Sequence, residues 1–211
     1  MTARPQRLPV VRALTWWATG LLLATAALLL TEPSTALYEA VAHAGTAWPE
    51  PLAGALIIAL GAALALATWH TGRRHRHRTA TGVAAGVGVV TSYGSSELLK
   101  LLVAQERPCR SVLLDPSCPG AGNWSFPSNH TTIAFALATA IVLVTRSRWV
   151  WSAYLVALAA GAARVVDGVH FPHDVLAGAI LGTCTTVAVA ALLNGLWGRT
   201  RAVDRAAPSG S

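Results

Sequence analysis

Three short polar clusters interrupt an otherwise apolar sequence: KLLVAQERP (Lys100–Pro108), FPSNHT (Phe126–Thr131) and RVVDGVHFPHD (Arg164–Asp174). They bring three cations (Lys100, Arg107, Arg164), two histidines (His130, His170), the carboxylate of Asp174 and a Pro-Ser-Asn turn that opens an apolar run. An ionisable side chain at membrane depth costs a few kcal/mol or more, so a cluster of them there marks a functional site. The remainder of the chain reads as the frame that brings the clusters together.

That frame is lipid-facing. The 211 residues are 54% apolar and only 12% charged, with a mean hydropathy of +0.50, whereas a soluble domain carries about twice that share of charge. Apolar runs fall at roughly 13–31, 52–69, 82–103, 131–145, 149–166 and 175–197, each near the 20 or so residues needed to cross a bilayer. The expected fold is therefore all-α, a six-transmembrane helical bundle spanning residues 1–198, followed by a polar tail, 199–211, expected to be disordered. The fourth run is short, and Ser128 is placed to cap its helix. A signal peptide is the other reading of the first run; its apolar stretch exceeds the usual length and lacks a small-residue cleavage site.

The arginines orient the bundle. Twelve of them (4, 7, 12, 73, 74, 76, 78, 146, 148, 199, 201 and 205) fall on one side of a six-span chain, and the positive-inside rule makes that side cytoplasmic. Lys100, Arg107, Arg110 and Arg164 fall on the other, so the polar clusters are expected at the extracytoplasmic face. Trp16, Trp17, Trp69, Trp149 and Trp197 near the inner interface, with Trp48 and Trp124 near the outer one, fit the same layout. The net charge of +7 comes in short clusters between apolar runs with no groove-reading motif, which excludes nucleic acid as the partner. His70, His75 and His77 match no metal-ligand spacing and read as part of a solvated basic loop. Gly82 with Gly86, and Gly178 with Gly182, have the small-xxx-small spacing of close helix packing within one chain. Cys184 reads as a small buried hydrophobe. Cys109 and Cys118 flank a loop on the oxidising side, where a disulfide is expected to hold Arg107 in place; two free thiols are the alternative.

Each cluster has its own chemistry. Lys100 and Arg107 are seven apart, which on a single helix ending at Pro108 would set both cations on one face, suited to a multiply charged phosphate; the alternative is snorkelling to the interface, with Glu97 and Glu106 as available partners. Ser128 and Asn129 precede an apolar helix whose free N–H groups and dipole attract an anion, with His130 in its first turn. His170 and Asp174 are four apart with Pro172 between them, so the carboxylate can fix the ring's tautomer and free the other nitrogen as base or nucleophile. His173 and Asp167 are read as loop residues.

Taken together, Lys, six residues, Arg-Pro, then Pro-Ser-x-His, then Arg, five residues, His, three residues, Asp, resembles the type 2 phosphatidic acid phosphatase superfamily. Those bacterial and other integral membrane lipid phosphatases share their site with glucose-6-phosphatase and the vanadium haloperoxidases. The resemblance implies His170 as the nucleophile that takes the phosphoryl group, Asp174 as its orienting partner and His130 as general acid. It implies Lys100, Arg107, Arg164, Ser128 and the backbone at Asn129 as ligands of the non-bridging oxygens, with no metal and no cofactor. The family often has glycine where this chain has Asn129, a residue that tolerates a left-handed backbone, and usually serine where it has Ala163. The implied partners are the lipid bilayer and a lipid phosphate or diphosphate, a polyprenyl diphosphate such as an undecaprenyl carrier first, phosphatidic acid or phosphatidylglycerol phosphate next. Transfer to a lipid or sugar hydroxyl would use the same residues. An anion transporter, the reading from another class, has no need of His130, His170 and Asp174 together.

Overall fold

The computed structural model describes residues 9–44, 51–112, 118–145 and 148–206. The arginines at 4, 7 and 146, together with Trp48 and the last five residues of the tail, lie outside them. Among the described residues the chain is helices and turns with no strand. Six long helices form the bundle: α1 (Pro9–Ala26), α3 (Leu52–Arg74), α4 (Arg76–Val103), α6 (Asn129–Val144), α7 (Ser152–Val166) and α8 (Pro172–Ala206). Two short ones, α2 (Thr31–His43) and α5 (Pro108–Ser111), flank the site. Residues 9–43, 52–74 and 172–198 are long and apolar enough to cross a membrane; α6 and α7 are equally apolar but have only 16 and 15 residues.

α8 is the central strut, packed against α1, α4 and α6. Small residues make that possible. A Cβ on Gly178 would stand 2.7 Å from the Ser128 carbonyl oxygen, and one on Gly182 would overlap the Thr132 carbonyl, so α8 and α6 touch backbone to backbone. The two apolar cores are likewise rich in alanine. One joins Leu60, Ala134, Leu137, Ile141 and Ala157 across α3, α6 and α7; the other joins Ala24, Leu99, Phe126, Ala177 and Leu181 across α1, α4 and α8. The arginine-bearing helix ends gather at one end, where Thr81 Oγ1 donates to Asn194 Oδ1 at 3.3 Å and Arg78 Nη1 donates to the terminal Val144 carbonyl of α6 at 3.3 Å.

Four features differ from the sequence expectation. The first run does not stop at residue 31: a 3-10 turn (Ala27–Leu30) leads into α2, whose Thr31, Glu32 and Pro33 are helix-starting chemistry. The basic second loop is a single extended residue, His75 (φ −145°), between α3, which ends on the exposed Arg73 and Arg74, and α4, which carries Arg76 and Arg78 in its first turn. α4 ends at Val103, with Ala104 left-handed at φ 49°, so Lys100 and Arg107 do not share a helix. The polar tail begins inside α8, which continues to Ala206; long arginine side chains are good helix formers once a helix is already nucleated.

Candidate active site

At the end of the bundle opposite the arginine-rich one, the last turn of α4, the first turns of α6 and α8, the end of α7 and two loops converge. Lys100 leaves the last turn of α4, and its Nζ donates to the Trp124 carbonyl at 3.1 Å. Arg107 arrives from the linker after Ala104, where it caps α5 ahead of Pro108. Its guanidinium donates to the Asn123 carbonyl and to Asn123 Oδ1, both at 2.8 Å, and to the Val169 carbonyl at 2.9 Å. Neutral carbonyls therefore hold both cations in position without cancelling their charge. Arg164, at the end of α7, is tied to Asp167 at 2.8 Å, so Asp167 is an anchoring residue and no mere loop position. Burial, then the charge of Arg164, lowers Arg107 to about 10, which leaves it charged at neutral pH.

His170 occupies the loop before α8 and is fully buried. Arg107 Nη1 lies 3.3 Å from His170 Nε2; a guanidinium only donates, so Nε2 must be the acceptor and the ring proton sits on Nδ1. Nδ1 in turn faces Asp174 Oδ2 and Ser125 Oγ, each at 3.4 Å. Asp174 Oδ2 also accepts the Phe171 N–H at 2.8 Å and the Ser125 hydroxyl. Burial, followed by the charges of Arg107, Lys100, Arg164 and His130, holds the His170 imidazole well below its usual range. It is thus a neutral base with its lone pair directed at the cations. His130, second residue of α6, is within electrostatic reach of Arg164, Lys100 and Arg107.

Ser128 stands at the N-cap of α6, as expected, but makes no side-chain cap bond; its N–H donates to the Asp174 carbonyl at 3.1 Å, which ties α6 to α8, and its Oγ accepts from Thr131 at 3.1 Å. Asn129 is the first helical residue of α6, outside the left-handed region. Its amide instead clasps α4, accepting from Ser96 at 2.7 Å and donating to Glu97. Glu106 pairs with Arg110 at 2.7 Å, away from Lys100 and Arg107. A cavity of about 470 Å³ opens beside Lys100, lined by Glu97, Asn123, Trp124 and Asn129 among others. Cys109, two residues after Arg107, is joined to Cys118 by a disulfide with Cα atoms 5.7 Å apart. Ser125, Asn123 and His173 complete the site and were not assigned to it from sequence; Ser125 adjoins the Phe-Pro-Ser turn, and His173, read as a loop residue of the third cluster, is the second residue of α8.

A helical membrane protein with a cationic site around a neutral, carboxylate-backed histidine is the class these features define. The sequence model of the PAP2 superfamily matches residues 81–197, and the chain belongs to that superfamily. It is 33% identical over 118 residues to the undecaprenyl-diphosphatase BcrC of Bacillus subtilis, covering 54% of this chain and 58% of that protein. It is 32% identical over 153 residues to the decaprenylphosphoryl-5-phosphoribose phosphatase of Mycobacterium tuberculosis, covering 72% and 77%. The matches span between about a third and three fifths of the length of several such relatives, 32%, 58% and 50% in three of them. The fold is shared with the crystal structure of a transmembrane PAP2-type phosphatidylglycerolphosphate phosphatase from Bacillus subtilis, at a TM-score of 0.62 and 20% identity over 89% of this chain and 96% of that one.

Proposed function

We propose that the protein is a membrane lipid phosphatase that hydrolyses a phosphate or diphosphate carried by a polyprenyl lipid, through a phosphohistidine. The observation that carries the chemistry is His170 Nε2, buried, neutral and 3.3 Å from Arg107 Nη1. In this reading the Nε2 lone pair attacks phosphorus while Asp174 accepts the hydrogen bond of Nδ1–H and stabilises the positive charge that develops on the ring. The bond from phosphorus to the lipid-side oxygen breaks, and His130 gives that oxygen a proton. Water, deprotonated by His130, then attacks the phosphohistidine and releases phosphate. Lys100, Arg107, Arg164, Ser128 and the first-turn N–H groups of α6 from Asn129 onward hold the non-bridging oxygens. Their charge makes a metal unnecessary, so EDTA should leave the rate unchanged.

The polyprenyl assignment rests on the undecaprenyl and decaprenyl carriers named in two relatives. Phosphatidic acid and phosphatidylglycerol phosphate are the second choice. By the arginine distribution the site opens outside the cytoplasm.

Phosphate release by the purified protein from undecaprenyl diphosphate, phosphatidic acid and phosphatidylglycerol phosphate tests both levels. Fastest turnover on the polyprenyl substrate is expected, with His170→Asn slower by roughly 1000-fold or more. A folded His170→Asn that keeps a tenth of the rate would rule out the covalent route.

A further inference from the structure

Behind Asp174, on the side away from the phosphate site, lies a second polar cluster that the mechanism above does not use. It joins Ser34 of α2, Gln105 of the linker after α4, and His173, the second residue of α8. His173 is buried and its ring lies between Phe126 (centroids 5.9 Å apart) and Phe171 (5.4 Å). Ser34 and His173 are buried and Gln105 is half-buried; polar groups from distant segments gathered in this way are costly unless they serve one another or the site.

Their hydrogen bonds fix the ring. Ser34 Oγ accepts the His173 backbone N–H at 3.0 Å and lies 2.8 Å from Nδ1, so its one proton is free to go to Nδ1 and leave the ring proton on Nε2. Nε2 lies 3.2 Å from Gln105 Oε1 and 3.3 Å from Asp174 Oδ1. The opposite tautomer, with the Gln105 amide nitrogen at 2.9 Å as donor, would set the Nε2 lone pair against the carboxylate oxygen in a buried space. Asp174 Oδ2 is fully engaged by Phe171 N–H, Ser125 and His170, whereas Oδ1 accepts no hydrogen bond of ordinary geometry among the described residues. His173 Nε2 stands 3.3 Å from it, close enough for its N–H to be shared between Gln105 Oε1 and this oxygen.

We propose that His173 is a positioning residue: held by Ser34 and Gln105, it backs the free oxygen of Asp174, so that the carboxylate keeps its other oxygen on His170. Asp174 is then shared between two histidines, one facing the phosphate site and one facing α2. This rests on the phosphatase reading, since turnover reports where Asp174 sits.

The test uses the full chain in mixed micelles with undecaprenyl diphosphate or phosphatidic acid, with kcat, KM and the melting temperature measured together. Wild-type turnover on either lipid tests the parent reading alone, and its absence on both would overturn that reading whatever the variants do. His173→Phe keeps an aromatic between Phe126 and Phe171 but removes the N–H. Its kcat is expected to fall roughly 10-fold or more with KM within about twofold of wild type, whereas His173→Gln, which restores an N–H donor, recovers most of the loss. A folded His173→Phe with wild-type kcat overturns the proposal. So does an equal loss in both variants, or a loss confined to KM. Should His173→Phe fail to fold, Ser34→Ala decides: releasing Nδ1 should lower kcat roughly threefold at constant KM, and an unchanged kcat overturns the proposal.

Discussion

Keeping His170 neutral in a buried, cation-lined loop makes folding depend on pH. Its folded pKa lies well below the ordinary value of about 6.5, so as pH falls through that value the unfolded chain takes up a proton that the folded one refuses. The associated stability is present above about pH 6.5 and is lost progressively below it. The melting temperature should fall between pH 7 and pH 5, and less steeply in His170→Asn; an identical slope in the variant would show that the ring is not held neutral. Residues whose partner lies within one helical turn were readable from sequence, as the His170 and Asp174 spacing was. The side-chain role of Asn129 was not readable, because its partners Ser96 and Glu97 lie on another helix and spacing along the chain carries no trace of them. His173 was missed for the same reason, since Ser34 and Gln105 come from α2 and the α4 linker.

Helix contact through backbone sets how much the elements tolerate. Because a Cβ at residue 182 would overlap the Thr132 carbonyl, Gly182→Ala must separate α8 from α6, at an expected cost of about 1–3 kcal/mol. Gly86, on α4, has open space where its Cβ would stand, so Gly86→Ala should be neutral or stabilising by up to about 1 kcal/mol through its better helix propensity. Thermal melts of the two variants make the comparison, and equal shifts would mean that the α6–α8 crossing can relax. The small-xxx-small pattern flagged both glycine pairs alike, because sequence shows small residues without showing which face they occupy. α2 escaped notice for a related reason. TEPSTALYEAVAH is too polar to register as an apolar run, yet it buries Ser34 and Tyr38, the latter donating to the Gly168 carbonyl at 3.2 Å beside the His170 loop.

Six apolar runs translate into six long helices because lipid leaves a spanning segment no other way to satisfy its backbone; that part of the molecule was open to reading by length alone. The sidedness of the bundle follows from charge. α4, a helix of 28 residues, has its arginine-bearing start at one end and Lys100 in its last turn at the other, about 35 Å apart. The site therefore lies opposite the basic end, and the orientation proposed from the positive-inside rule, with the site outside the cytoplasm, can be tested at the two ends. Thr79, exposed near the start of α4, and Ala121, exposed beside the cavity next to Lys100, report on the two ends. With Cys184 buried and Cys109 bonded to Cys118, a membrane-impermeant maleimide applied to intact cells should label Ala121→Cys and reach Thr79→Cys only after permeabilisation. The reverse pattern would turn the bundle over and place the phosphate site on the cytoplasmic face. A polyprenyl diphosphate released outside the cell would then no longer be a reachable substrate, and the assignment would pass to lipids made on the inner leaflet.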